Sequence, residues 1–399
     1  MNPYLDRLQP YPFEKLAALK RDLIPPADLS PIVLSIGEPR QPTPAFIRAA
    51  LHAHLDELAH YPSTRGLPEW RHTIAAWLTR RFRLAPGVVD PERHVLPVNG
   101  TREALFACAQ ALIDPRRPAR VLMPNPFYQI YEGAALLAGA QPVYIECPAD
   151  QDFQPDFAAV PDRVWRECQL LYLCSPGNPT GAVLDLERLQ WLLEQAQRHD
   201  FIIAADECYS ELYPDETRPP PGLLQAAAAL GLDDFRRCLV FHSLSKRSSA
   251  PGLRSGFVAG DARLIARFLS YRTYHGCAMP LPQQRASIAA WSDEQHVIDN
   301  RQHYRERFAA VGARLAGVLA STPPAGGFYL WARTPGDEVA FTRGLFTQQH
   351  VTVLPGRFLS RAAADGRDPG RGFVRIALVA PLAECIEAAE RIRAYVATI

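Results

Sequence analysis

A single lysine stands among small residues in HSLSKRSSAPGLRSGF, residues 242–257. Surface lysines usually keep charged company and cores exclude them, so Lys246 reads as an amine that something large must approach closely. Ser243 and Ser245 flank it and Arg254 lies eight positions beyond it, a set of hydroxyl and guanidinium donors suited to phosphate. Four further stretches carry chemistry. Asn99-Gly100-Thr101-Arg102-Glu103 opens a helical pattern whose free N–H groups suit a phosphate, or where Thr101 serves simply as a cap. Tyr128 in NPFYQIY offers a flat face for stacking, or for core packing. In SPGNPTG (175–181), two prolines and two glycines set the direction of the Asn178 amide, and they would also build a rigid turn. Asp206 leaves the apolar run FIIAADE, which is costly unless a cation or hydrogen-bond donors receive it, or unless it caps a helix.

An amine for imine formation, a carboxylate, a phosphate cradle and a stacking ring together suit pyridoxal 5'-phosphate (PLP). That cofactor has an aldehyde, a ring nitrogen wanting an acidic partner, a flat face and a phosphate.

Every one of these groups follows a short apolar run: HVLPV before Gly100, RVLMP before Tyr128, LLYLC before Asn178, FIIAA before Asp206 and CLVFH before Lys246. Amphipathic stretches alternate with them, such as Glu103 to Leu112, YQIYEGAALLAG and DLERLQWLLEQAQRH. Continuous apolar strands separated by helices predict an α/β fold with a mostly parallel, helix-covered sheet. Ligands in such sheets bind beyond the carboxyl ends of the strands, where these residues fall. After about residue 285 the pattern changes to a long helix candidate, HVIDNRQHYRERFAAVGARLAGVLA, and then GGFYLWA, VTVLPG and FVRIALV. We expect a large cofactor-binding domain over 45–285. A smaller α/β domain would join 1–44 to 286–399.

Bulk properties narrow the function classes. The 399 residues carry Lys+Arg 43 against Asp+Glu 42, a net charge of +1, which argues against nucleic-acid or anionic-membrane partners. The eight cysteines are scattered without CxxC spacing, as expected of reduced core residues in a cytosolic protein. MNPYLDRLQP holds no apolar run of signal-peptide type, and no segment approaches the ~18 apolar residues of a membrane helix. A cytoplasmic location is expected. His52, His54 and His60 do not share a helix face, and no metal site is expected.

The ordered set IGEPRQPTP, YPSTRGLPEWR, NGTREAL, NPFYQIY, SPGNPTG, DECYSELY, SLSKRSSAPGLRSGF and FVRIALV resembles the class I/II aminotransferases, PLP enzymes of fold type I, over essentially the whole chain. The resemblance implies an aspartate aminotransferase-like fold and a role for each matching residue. Lys246 would carry the cofactor, Asp206 would pair with its pyridine nitrogen, and Tyr128 would stack on its ring. Asn178 and Tyr209 would bind its phenolic oxygen. Gly100, Thr101, Arg102, Ser243, Ser245 and Arg254 would hold its phosphate, with Tyr61 reaching the phosphate of a neighbouring subunit in a homodimer. Arg375 would clamp the substrate α-carboxylate, with Asn178 beside it and Gly37 in the loop that closes over it. Ser255 departs from the apolar residue usual after the arginine.

Within the family, MNPYLDRLQPYPFEKL, YPSTRGLPEWR and TYHGCAMP are most similar to proteobacterial N-succinyldiaminopimelate aminotransferases of lysine biosynthesis. That implies ping-pong transfer between glutamate and N-succinyl-2-amino-6-oxopimelate. The extra carboxylate then needs a second cation, for which Arg40, Arg65, Arg247 and Arg272 are candidates; Tyr274 to Gly276 would line the site from the partner. An aspartate, aromatic or alanine aminotransferase, or a PLP-dependent C–S lyase, would keep the same cofactor residues. A PLP-binding regulator would need a DNA-binding domain for which the chain has no spare length.

Overall fold

The computed structural model describes residues 1–232 and 234–399. Its strands are β1 (Ile32–Val33), β2 (Val95–Val98), β3 (Arg120–Asn125), β4 (Gln141–Glu146), β5 (Cys168–Cys174), β6 (Ile202–Asp206), β7 (Cys238–Ser243), β8 (Gly256–Gly260), β9 (Ala320–Ser321), β10 (Tyr329–Arg333), β11 (Val351–Thr352), β12 (Leu354–Pro355) and β13 (Phe373–Ala377). Seven of them form one sheet in the order β2-β8-β7-β6-β5-β3-β4. The continuous apolar runs are explained by two cores, one on each face. From β5, Leu171 and Leu173 join Trp77, Leu192 and Trp291, whereas Leu170 and Tyr172 join Val98, Ala104 and Phe268. Alternate side chains of one strand therefore both go inside.

β8 runs antiparallel to β7 and β2, and the other joins in this sheet are parallel. The reversal matters to the site. Because β8 starts where its neighbours end, the residues preceding it lie at the same sheet edge as those following β7. Lys246 and Arg254 sit on that short crossover.

The second sheet, β12-β13-β10-β9, is antiparallel, and β1 pairs separately with β11. Ile32, Leu34, Leu330, Ile376 and Ile392 meet in its core. The long helix expected over 296–320 spans Gln295–Leu315 and stops before Gly317, whose φ of +74° breaks the helical path; Ala320 then enters β9. At the amino end Pro12–Lys20 is helical, and Tyr4 and Leu8 lie against Gly139 and Gly133 of the large-sheet helix region. Among the described residues no helix is long and apolar enough to cross a membrane.

Candidate active site

The carboxyl ends of β2, β3, β5, β6 and β7 surround a cavity of about 570 Å³ that also receives the loop after β1 and side chains of β10 and β13. Lys246 enters it from the turn Leu244–Arg247, which Ser243 caps by accepting from the Ser245 N–H. Its Nζ donates to the Gly37 carbonyl at 2.6 Å and lies 5.1 Å from the Phe328 ring centroid. Burial lowers the Lys246 ammonium to about 8; Arg375 and Arg102 push the same way, while Cys208 and Glu38 oppose them. The lysine is thus held close to its neutral, nucleophilic form.

Arg247 fixes that turn from behind. Its guanidinium donates to the Ala290 carbonyl at 2.8 Å and to Glu294 at 2.6 Å, and packs 4.6 Å from the Trp291 ring. Ser255, the departure from the family pattern, is fully buried with its hydroxyl 2.6 Å from that of Ser287, so a hydrogen bond stands where an apolar contact was expected.

Asp206 ends β6 at the floor of the cavity, 3 % exposed. It accepts from the Tyr131 hydroxyl at 2.8 Å and from the Cys208 N–H at 3.3 Å. Burial raises its pKa, and these donors only partly oppose the rise. Tyr131 was not anticipated from sequence. The available signal was its position one helical turn after Tyr128, which places both rings on one face. It also stacks on Tyr172, at 4.7 Å and 12° between planes.

From the second sheet, Arg375 projects from β13 with its side chain diagonal to Tyr329 of β10, since Tyr329 opposes Ala377. Arg375 is 4 % exposed and donates to the Asn178 Oδ1 at 2.9 Å and the Ser35 carbonyl at 2.7 Å, over the Tyr329 ring at 4.3 Å. None of these partners is an anion, and its Nε has no partner among the described residues. Because Arg375 takes the Asn178 oxygen, the Asn178 NH2 is left as a donor to the cavity. The Tyr209 hydroxyl is 3.1 Å from that of Tyr329, a second residue not foreseen.

Thr101, Arg102, Ser243, Ser245 and Arg254 share one wall of the cavity with Tyr128. Gly100 has φ +85°, and a Cβ there would collide with the Arg254 guanidinium, so the loop and the arginine interlock only as glycine allows. Gly37 is similarly committed, because a Cβ would overlap the Tyr329 hydroxyl. Tyr61 and Tyr274, expected to serve a neighbouring subunit's site, do not line this cavity and are fully exposed, and the candidate arginines Arg40, Arg65, Arg247 and Arg272 do not line it either.

The sequence profile of "Aminotransferase class I and II" matches residues 30–392. This chain belongs to the class I and II aminotransferases. An LL-diaminopimelate aminotransferase of Gloeobacter violaceus is 32% identical over 398 residues, covering 98% of this chain and 97% of that protein. The crystal structure of an aminotransferase from Neisseria meningitidis matches with a TM-score of 0.93 and 50% identity over 98% of this chain and 99% of its own. A probable N-succinyldiaminopimelate aminotransferase from Thermus thermophilus matches with a TM-score of 0.83 and 29% identity over 96% and 98%.

Class I and II aminotransferases depend on PLP, and this cavity's residues fit it. A buried carboxylate whose described partners are neutral donors calls for a cationic nitrogen. A glycine cradle stands beside an arginine, and a lysine with lowered basicity faces both.

Proposed function

We propose that this aminotransferase exchanges an amino group between glutamate/2-oxoglutarate and N-succinyl-2-amino-6-oxopimelate. The observation that carries the reading is the opposition of Lys246 to Arg375 in one cavity, each within direct electrostatic reach of the other. Arg375, buried with neutral partners, receives the substrate α-carboxylate as a bidentate fork, a geometry lysine would not reproduce. That contact turns the substrate Cα toward Lys246.

PLP, when bound, supplies an electron sink for the charge left at the substrate Cα. Lys246 would hold it covalently, and its Nζ is the group placed to move the substrate Cα proton. Asp206 would keep a proton on the pyridine nitrogen, because a buried carboxylate is stabilised by that partner as much as the partner is by it. Tyr128 would cover one ring face. The Asn178 NH2 and the Tyr209 hydroxyl would donate to the phenolic oxygen, while Gly100, Thr101, Arg102, Ser243, Ser245 and Arg254 would hold the phosphate. The reading carries with it a cytoplasmic homodimer with two lobes, 45–285 and 1–44 with 286–399, in which Tyr61 completes the neighbour's site.

The name of the Thermus structure supports the succinylated substrate. The names of several full-length curated relatives at 30–32% identity favour a second reading, in which free LL-diaminopimelate is the amino donor. The two readings separate in a half-reaction panel, with bound PLP followed by its visible absorbance. Glutamate and the succinylated diaminopimelate should each convert the cofactor to its amine form and be regenerated by the matching oxo acid. Conversion by LL-diaminopimelate alone would favour the second reading. Release of ammonia and pyruvate from a thioether amino acid would replace both with a lyase.

A further inference from the structure

The lysine-bearing turn Leu244–Arg247 is only four residues long, too short to hold its own shape. Ser243 supplies its cap, and the Ser248 N–H closes one main-chain bond to the Leu244 carbonyl at 3.0 Å. Among the described residues, no main-chain N–H reaches the carbonyls of Lys246 or Arg247. Carbonyls at the end of a helical turn then need donors from elsewhere. The chain leaves the turn through Ser249 at φ +46°, a left-handed backbone that a serine keeps only when its surroundings hold it there.

Asn300 supplies them. It stands on the second turn of the helix Gln295–Leu315 and is buried, 6 % exposed. Its Nδ2 donates to the Lys246 carbonyl at 3.0 Å and to the Arg247 carbonyl at 3.2 Å, and its Oδ1 accepts from the Ser249 hydroxyl at 3.1 Å. Both ends of one amide are therefore committed to this turn and its exit. Just ahead of Asn300, His296 places its Nε2 2.8 Å from the Ser248 hydroxyl. One helical turn beyond it, Tyr304 shares its face of the helix. The Tyr304 ring stacks on Phe328 at 5.5 Å and 28° between planes, and Phe328 is the ring beside the Lys246 Nζ. One helix face thus meets Lys246 at its main chain and, through a single aromatic ring, at its tip. The last turns of the same helix, at Val311 and Leu315, belong to the core of the second sheet.

We propose that Asn300 is a positioning residue for the reacting amine: its amide latches the main chain of Lys246 and Arg247 and so fixes where the Lys246 Nζ stands in the cavity. This rests on the reading above that Lys246 is that amine. Asn300 does not line the cavity and acts only through the turn. Without the latch two carbonyls lose their donor and Ser249 loses one of the contacts that hold its backbone. The turn then relaxes, Nζ leaves its place against the Gly37 carbonyl, and water reaches it. Both the aim and the basicity of the amine depend on that placement, because burial is the main cause of its lowered basicity.

The test follows capture of PLP by the cofactor-free full chain across pH, and then the amine-forming half-reaction of the holoenzyme with glutamate. In Asn300→Leu, similar in size but without donors, capture at pH 7 should slow about tenfold, the range of a lost hydrogen bond. Its pH midpoint should rise from about 8 toward that of free lysine. The limiting rate with glutamate should fall by a similar factor while the half-saturating concentration moves little. Asn300→Gln, whose amide can still donate, should recover part of each effect. Should Asn300→Leu not fold, Asn300→Ala, which presses no methyl group against the carbonyls, is measured in the same way. A lowered melting temperature with an unchanged pH midpoint and limiting rate would overturn the proposal and make Asn300 a packing residue, as would failure of both variants to fold. Capture needs no amino donor, so the substrate reading does not enter it. If Lys246→Ala captured PLP at the wild-type rate, the reading of the amine itself would fall; if only the Asn300 variants behaved as wild type, the latch alone would.

Discussion

The basicity of one amine sets the pH response of cofactor capture. Burial brings Lys246 down to about 8, with Arg375 and Arg102 helping, so at neutral pH a useful fraction is already neutral. The sign follows directly. The free amine attacks an aldehyde and the ammonium does not, so capture of PLP by the cofactor-free protein should speed up as pH rises through about 8 and level off above it. Stopped-flow absorbance from pH 6 to 9.5 measures this; a midpoint near that of free lysine would mean the cavity does not tune the amine. Lys246→Ala should neither capture PLP nor turn over. The residue scale also shows what sequence could offer: Lys246 and Asp206 were legible as polar groups in an otherwise hostile setting, Asn178 through the prolines and glycines that fix its amide, and Arg375 only through the family resemblance. Tyr131 and Tyr329 were not, since a tyrosine in an apolar helix or strand looks like any other core aromatic until its hydroxyl has a partner.

Elements convert those residues into a site by ending in the right place. The helix Ile130–Leu137 presents Tyr131 to two neighbours at once, with its hydroxyl on Asp206 and its ring at 88° to that of Tyr128. Removing that hydroxyl in Tyr131→Phe leaves the packing and deletes one donor to a buried carboxylate, a loss of about 1.5–3 kcal/mol for a charge-assisted bond. We expect the cofactor-free protein to melt somewhat earlier, PLP to bind at least tenfold more weakly and the absorbance of bound PLP to shift. Tyr131→His, which can still donate, should recover most of the affinity. A variant that melts much earlier yet binds PLP normally would make Tyr131 a packing residue only. The antiparallel β8 belongs to this scale too. Its apolar run reads like its parallel neighbours, because direction leaves no trace in hydropathy; the short Lys246–Arg254 crossover, too brief for a parallel connection, was the available signal.

At the scale of the molecule, the exposed Tyr61 and Tyr274 mark a face that a single chain leaves open. If Tyr61 serves the neighbouring site, subunits can complement one another. Lys246→Ala and Tyr61→Ala chains should each be nearly inactive alone. Co-assembled in equal amounts they should regain up to about a quarter of wild-type activity, since half the dimers are mixed and each holds one intact site. Sedimentation should show twice the chain mass. No recovery on mixing would place Tyr61 outside the shared site.

From the sequence alone came the family motifs, the lysine, the strand-and-helix alternation and the site residues that end strands, because burial, turn chemistry and unusual polar placement are local properties. Tertiary structure decided which charges were already spent. Arg40, Arg65, Arg247 and Arg272 were equal candidates in the sequence, and only packing revealed that each faces a carboxylate from elsewhere in the chain. Arg272 and its partner Glu103 stand 169 positions apart, and electrostatic neutralisation depends on distance in space, not along the chain.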